Sequence, residues 1–239
     1  MAQERALMAE VKNKLADEAP KRTFYSLYGK RAIDIILSSV AIIACSPLLL
    51  IISVVVIADV GKPILFKMQR PGKDEKLFTI YKFHDLNNAV DENGNLLPAE
   101  QRVTKIGKFL RGSSLDELPQ LFNIFKGDMS FIGPRPLLPE YLSRYSPRQR
   151  MRQLVRPGLE CPSLVNRDHP RSWEEQFEDD VWYVENLSFA VDVKMLMKLA
   201  KMVFDRQDAK RRGAADRGFF GGITAEEADR INQGYKKYL

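Results

Sequence analysis

The chain has 239 residues, 45% of them apolar, and a net charge of +6. That length holds one sizeable domain with appendages, and the ordinary apolar content admits one membrane segment but excludes a polytopic membrane protein. The positive balance suits a negative membrane surface, phosphate-bearing substrates or nucleic acid; the two distant cysteines, Cys45 and Cys161, exclude a disulfide framework and a thiolate metal cluster.

Residues 1–23 form a polar arm with a weak helical stripe of Leu7, Val11 and Leu15, closed by Pro20. Residues 24–60 are a membrane element. Its centre is an uncharged run of 24 residues, Ile35 to Ala58. As a straight helix the run would be about 36 Å long, enough to cross a hydrocarbon core of about 30 Å. Pro47 lacks an N–H and clashes with the carbonyl of Ile43, so a kink or break is expected at Ser46-Pro47, with the Ser46 hydroxyl satisfying part of the freed backbone. Lys21, Arg22, Lys30 and Arg31 precede the run, and Lys62, Lys67, Arg70 and Lys73 follow it. Positive flanks mark the cytoplasmic side, and here both flanks are positive. The element is therefore expected to be a re-entrant helix-break-helix that enters one leaflet and returns. A kinked single-pass anchor and a buried core helix are the competing readings. The run starts too late for a secretory signal and is followed by no small-residue cleavage site, so it is expected to be retained.

Residues 61–205 read as a catalytic body. Ile64–Lys67 and Leu77–Phe83 look like two strands of a hairpin around Arg70-Pro71-Gly72, and Asp91–Pro98 is a polar loop with an Asn93-Gly94 turn. A basic stretch, Arg102–Arg111, leads to a helix over Ser113–Gly127 with a glycine C-cap. Pro139–Val155 is expected to be helical, Arg156–Pro170 a proline-containing loop, and Trp173–Tyr183 an acidic helix. Val191–Phe204 is amphipathic: Val193, Leu196, Ala200 and Val203 line one face, and Lys194, Lys198 and Lys201 another. Such a helix either lies in a lipid interface or packs its stripe on the core. The tail, 206–239, is polar, with a capping-box pattern at Thr224–Glu227. The fold class expected is α+β, mainly helical with a small hairpin or sheet.

The chemistry concentrates around Asp116-Glu117. Either Ser114 and Glu117 form a capping box with Asp116 in the first helical turn, or Asp116 is itself the N-cap. Both arrangements put a carboxylate where free N–H groups keep it ionised. By itself the pair could simply cap a helix. However, Arg102, Lys105, Lys108 and Arg111 lie upstream, and Gly133-Pro134-Arg135-Pro136 lies downstream. Arg135 between two prolines, Arg156 before Pro157-Gly158 and Arg70 before Pro71-Gly72 are guanidiniums on stiff backbone, suited to bidentate phosphate binding. Carboxylates beside phosphates commonly share a Mg2+ ion.

Taken in order, Lys30-Arg31, Asp34, Ser46-Pro47, Arg70-Pro71-Gly72, Asp116-Glu117-Leu118-Pro119-Gln120, Asn123, Gly127-Asp128-Met129-Ser130, Gly133-Pro134-Arg135-Pro136 and Arg156-Pro157-Gly158 closely resemble the bacterial sugar transferase family, from about Phe24 to Asp205. The resemblance is to its small monotopic phosphoglycosyl transferases. It implies transfer of a sugar 1-phosphate from a UDP-sugar to undecaprenyl phosphate, with release of UMP, at the cytoplasmic face of a bacterial inner membrane, as the first membrane step of glycan assembly. It further implies a covalent phosphosugar on Asp116, with Glu117 holding the metal or managing a proton. Asp116 and Glu117 become the implied Mg2+ ligands, and Lys82, Arg111, Arg135, Arg156 and Arg167 the implied phosphate and substrate contacts. Membrane lipids are implied partners, a homodimer is compatible with the pattern, and no nucleic acid is required. Two stretches depart from the family: His84-Asp85-Leu86, where an arginine is usual after Lys82-Phe83, and Leu159-Glu160-Cys161-Pro162-Ser163 after Gly158. The reading from another class is a membrane-anchored basic adaptor or inactive scaffold, binding anionic lipid or nucleic acid.

Overall fold

The computed structural model describes residues 23–165, 169–204 and 220–222. Among them, helices dominate and strands form two small sheets. Residues 1–22 of the N-terminal arm, Arg167 and the Thr224–Glu227 pattern lie outside the described residues.

A π-helical turn, Tyr25–Gly29, runs directly into α1, Lys30–Asp59. Backbone helicity continues through Pro47, so the expected interruption is not a break in secondary structure. Proline removes the N–H that would bond the Ile43 carbonyl, and the Ser46 hydroxyl donates to that carbonyl instead, at 2.8 Å. Only 11% of the apolar window of this helix is buried, and Ile43 is 73% exposed, so α1 is not a core helix. It is long and apolar enough to cross a membrane.

Both ends of α1 are fastened to the same body. At its start, Lys30 donates to Asp192 at 2.7 Å, and Arg31 donates to the carbonyls of Ile124 and Phe125 at 2.7 and 2.6 Å. Asp34 accepts from Ser130 Oγ at 2.9 Å. At its far end Ile52 and Val56 pack with Phe83 and Leu110, and Asp59 accepts from Thr104.

The hairpin is longer than expected. β1 (Leu65–Pro71) pairs antiparallel with β2 (Leu77–Phe83), from Leu65 opposite Phe83 to Pro71 opposite Leu77. Arg70 and Pro71 therefore end the strand, and the turn falls on residues 72–76, closed by Gly72 N to Lys76 O at 2.8 Å. Pro71 is tolerated at a strand end, where no ladder donor is required of it. Met68 and Ile80 face each other in the core.

The helix expected over Ser113–Gly127 is three pieces. α2 (Lys105–Ser113) starts at Thr104, whose hydroxyl accepts from Gly107 N, and ends where Ser114 turns left-handed at φ 57°. A 3-10 turn, Leu115–Glu117, follows, then Pro119, and then α3 (Gln120–Lys126), closed by Gly127 at φ 97°. The Ser114–Glu117 capping box is absent because Ser114 makes no side-chain cap. Pro119 has no N–H to continue a helix from upstream.

Pro139–Val155 is likewise not one helix: 3-10 turns over Pro139–Arg144 and Met151–Leu154 flank a single turn, Pro147–Arg150. Ser146 and Gln149 form the capping box that starts that turn at Pro147. β3 (Ser130–Ile132) and β4 (Gly158–Glu160) pair in parallel, a contact too short to carry a sequence period. α4 (Trp173–Glu185) matches expectation and is capped by Ser172 and Glu175.

α5 (Phe189–Phe204) is rotated from the expected face. Asp192 and Met195 are buried, whereas Val193 is exposed. The cause is polar: Asp192 is drawn inward by Lys30, Tyr25 and Tyr183, which all bond its carboxylate. Phe220, from the C-terminal segment, packs among Tyr141, Tyr145, Trp173 and Phe177, with ring centroids 5.0 to 6.0 Å apart.

Candidate active site

The site lies where the 3-10 turn Leu115–Glu117 meets the end of β2 and the loop carrying Arg135. Asn123, fully buried on α3, sets the first junction. Its Oδ1 accepts from Tyr81 N at 3.2 Å, and its Nδ2 donates to Thr79 O at 2.7 Å. This clamps α3 to β2 beside Lys82. Glycine sets the second junction: a Cβ at Gly158 would overlap Gly133, so the two backbones can approach only because both lack one. That approach brings Leu159 and Glu160 against Arg135, which donates to the Leu159 carbonyl at 2.9 Å.

Asp116 is buried, with Oδ2 3.5 Å from Lys82 Nζ. Glu117 beside it is gripped from two sides. Lys82 Nζ donates to Oε1 at 2.6 Å, and Arg135 forms a two-pronged contact, to Oε1 and, at 3.4 Å, to Oε2. The neighbouring carboxyls consequently behave in opposite ways. Burial raises the Asp116 pKa; Lys82 opposes this, while Glu117 and Asp85 add to it. Burial alone would raise Glu117 too, but Arg135 and Lys82 outweigh it and hold that group at about 2. Glu117 in turn raises the pKa of Arg135.

Lys82, Arg135, Asp116 and Glu117 are thus brought together as the sequence implied. Arg111 sits at the edge, paired in two-pronged fashion with Asp85, at 3.2 Å through Nη2. Arg156 is elsewhere: its Nε donates to Gly127 O at 2.9 Å, at the far end of α3 and beside Arg31. Arg167 is outside the described residues. Sequence reasoning missed four members. Asp85 anchors Arg111, and Gly107 allows the approach, since a Cβ there would overlap the Asp85 carbonyl. Glu160 lies 3.7 Å from Arg135. Arg152, buried with Asp180, donates to the Arg135 carbonyl at 2.7 Å and so fixes its backbone. Arg70 is close enough that its pKa falls to about 10, through burial and then the like charge of Arg135. For Asp85 and Glu160 the only available signal was that both fall in the stretches that depart from the family pattern.

Among the described residues no group of three or more His, Cys, Asp or Glu could cage a metal. Both oxygens of Glu117 are already engaged by cations, whereas Asp116 has, among the described residues, the looser contact with Lys82. This donor set fits Mg2+ held by Asp116 and completed by substrate phosphates, the usual habit of that ion, and does not fit an all-protein cage.

A model of the family described as "Bacterial sugar transferase" matches residues 25–206. Among curated proteins, the chain is 42% identical over 175 residues to "Uncharacterized sugar transferase EpsL" of Bacillus subtilis, covering 73% of this chain and 86% of that protein. It is 34% identical over 220 residues to the "Undecaprenyl-phosphate galactose phosphotransferase" of Salmonella typhimurium, covering 85% of this chain and 45% of that one. The "UDP-glucose:undecaprenyl-phosphate glucose-1-phosphate transferase" of Klebsiella pneumoniae is 35% identical over 178 residues, 70% of this chain and 38% of its own length. The chain therefore spans less than half the length of the two named phosphotransferases.

Proposed function

The chain belongs to the bacterial sugar transferase family, and on that premise we propose that it moves a sugar 1-phosphate from a UDP-sugar to undecaprenyl phosphate and releases UMP. One observation carries the reading: a buried carboxylate with a raised pKa, Asp116, sits beside an ion-paired Glu117, Lys82 and Arg135.

Asp116 is the nucleophile. Its oxygen attacks the phosphorus that bears the sugar, the bond from that phosphorus to the UMP oxygen breaks, and a phosphosugar is left on the carboxylate. A phosphate oxygen of undecaprenyl phosphate then attacks the same phosphorus and frees Asp116. Burial makes Asp116 a stronger nucleophile than a solvated carboxylate, and Lys82 favours its ionised form. Lys82 and Arg135 neutralise charge on the phosphoryl oxygens, and Glu117 holds both cations in place. Asp116 would hold Mg2+, and the ion would supply further charge neutralisation. Arg111 and Arg70 supply positive potential at the rim. Arg156, at the other end of α3, acts on the body and on Arg31 rather than on the reacting phosphate.

The acceptor is a lipid, and α1 is the element that meets it. A straight helix from Lys30 to Asp59 would measure about 44 Å. A globular body of this size has a radius of gyration of roughly 15 Å. Anchorage of both ends of α1 on that one body favours a helix that enters and leaves by the same leaflet. The basic flanks favour the cytoplasmic face. This would put Asp116 at headgroup height.

Purified protein in lipid nanodiscs, given undecaprenyl phosphate, Mg2+ and a panel of UDP-sugars, is expected to release UMP with at least one donor. Asp116→Asn is expected to lower that rate by at least a thousandfold; substantial residual turnover would remove Asp116 as nucleophile.

A further inference from the structure

Glu160 has no task in the transfer scheme, yet it is built into the site. It ends β4 in register with Ile132. Its Oε2 lies 3.7 Å from Arg135 Nη1, and its Oε1 lies 3.4 Å from Arg171 Nη2 and accepts from Cys161 N at 3.3 Å. Arg171 is itself held, donating to the Cys161 carbonyl at 3.1 Å and lying 3.3 Å from Asp179. The Glu160 side chain is 16% exposed, so it faces the site without being a free surface charge.

Arg135 thus bridges two carboxylates: Glu117, next to the nucleophile, and Glu160. Arg135 Nη1 is 3.4 Å from Glu117 Oε2 and 3.7 Å from Glu160 Oε2, so the two carboxylates share one nitrogen of the guanidinium. In an in-line displacement the leaving nucleotide stands opposite the attacking oxygen, and the remaining substituents on phosphorus point sideways. The sugar oxygen is one of these. The glycosyl group therefore lies beside Asp116 rather than across from it, on the level of Lys82, Glu117 and Arg135. A hexose extending past Arg135 would meet Glu160.

We propose that Glu160 is a specificity-determining residue for the donor: held by Arg135 and Arg171, its carboxylate accepts hydrogen bonds from a neutral glycosyl group and repels one that carries its own carboxylate. The inference rests on the transfer reading. Like charges a few ångströms apart at intermediate dielectric alter affinity by roughly 100-fold. The guanidinium of Arg171 screens part of this, leaving at least a tenfold discrimination.

The test compares kcat/KM for UMP release from neutral UDP-hexoses and UDP-N-acetylhexosamines with that from UDP-uronic acids. The ratio is taken within each protein preparation, so the folded fraction cancels. Wild-type protein is expected to favour the best neutral donor over the best uronate by at least tenfold. Glu160→Gln is expected to shrink that ratio at least tenfold. Arg171→Gln, which leaves Glu160 less compensated, is expected to widen it and serves as the second arm if Glu160→Gln does not fold. A wild-type preference for uronates overturns the assignment, as does a ratio unmoved in whichever variant is active. UMP release from no donor by wild-type protein would instead overturn the transfer reading, and the inference with it.

Discussion

Asp116 and Glu117 are adjacent in the chain and opposite in energetics. The folded-state pKa of Glu117, about 2, lies below its ordinary 4.5. Its stabilising contribution is therefore fully present above about pH 4.5 and is lost as pH falls toward 2. Removing that charge also leaves Lys82 and Arg135 without their shared counter-ion. Glu117→Gln is expected to cost roughly 2–4 kcal/mol at neutral pH, read as a lower denaturation midpoint. Asp116 runs the other way. Its folded pKa is raised, so its contribution is present below the unfolded value of 3.8 and lost as pH rises through the folded value. Asp116→Asn should melt at or above the wild-type temperature while inactive, the mark of a residue kept for chemistry. Because the nucleophile must be ionised, the UMP-release rate of wild-type protein should fall as pH drops through the raised pKa of Asp116. The Asp-Glu pair stood out only through the basic residues around it, and Arg135 through its prolines. That Lys82, some 34 positions upstream, meets them was implied only by resemblance. Arg156 looked equivalent to Arg135, yet its Nε donates to the Gly127 carbonyl, at the C-terminal end of α3.

Periodicity at the level of elements found α4 and the hairpin, and misjudged whatever depended on polar pairing or proline. α5 is rotated because one buried aspartate with three partners outweighs a hydrophobic stripe that can lie against lipid. The stretch after Ser113 breaks because Ser114 turns left-handed and Pro119 cannot extend the helix, and that break creates the tight turn that exposes Asp116 to Lys82. Of the tail, residues 220–222 are described, and Phe220 docks in a cage of four aromatic rings. Its backbone N–H donates to Tyr141 at 3.2 Å, and Arg144 donates to the Gly221 carbonyl. The cage includes the segment that follows Arg135, so this docking stiffens one wall of the site. Phe220→Ala is expected to cost about 1–3 kcal/mol. That would appear as a midpoint lowered by several degrees in thermal denaturation, with a larger loss of donor affinity than of acceptor affinity.

For the whole molecule, the arrangement depends on which side of the membrane each end of α1 occupies. Single cysteines placed at Lys21 and Lys73, in a background lacking Cys45 and Cys161, should both resist a membrane-impermeant thiol reagent in intact cells. Both should react in inverted vesicles. Labelling of one position from outside would make α1 an ordinary span and separate the catalytic body from one of its two anchors. The sequence by itself determined that a long apolar helix is present, that a proline lies at its centre, that basic residues flank it, and that a carboxylate pair is accompanied by rigid arginines. These are local properties, set by composition, spacing and backbone chemistry within a few residues. Only the tertiary structure decided which arginine reaches the carboxylates, that Glu160 and Asp85 join them, and that both ends of α1 return to one body. Those are contacts between positions far apart in the chain, where burial and charge pairing, rather than neighbouring residues, set the outcome.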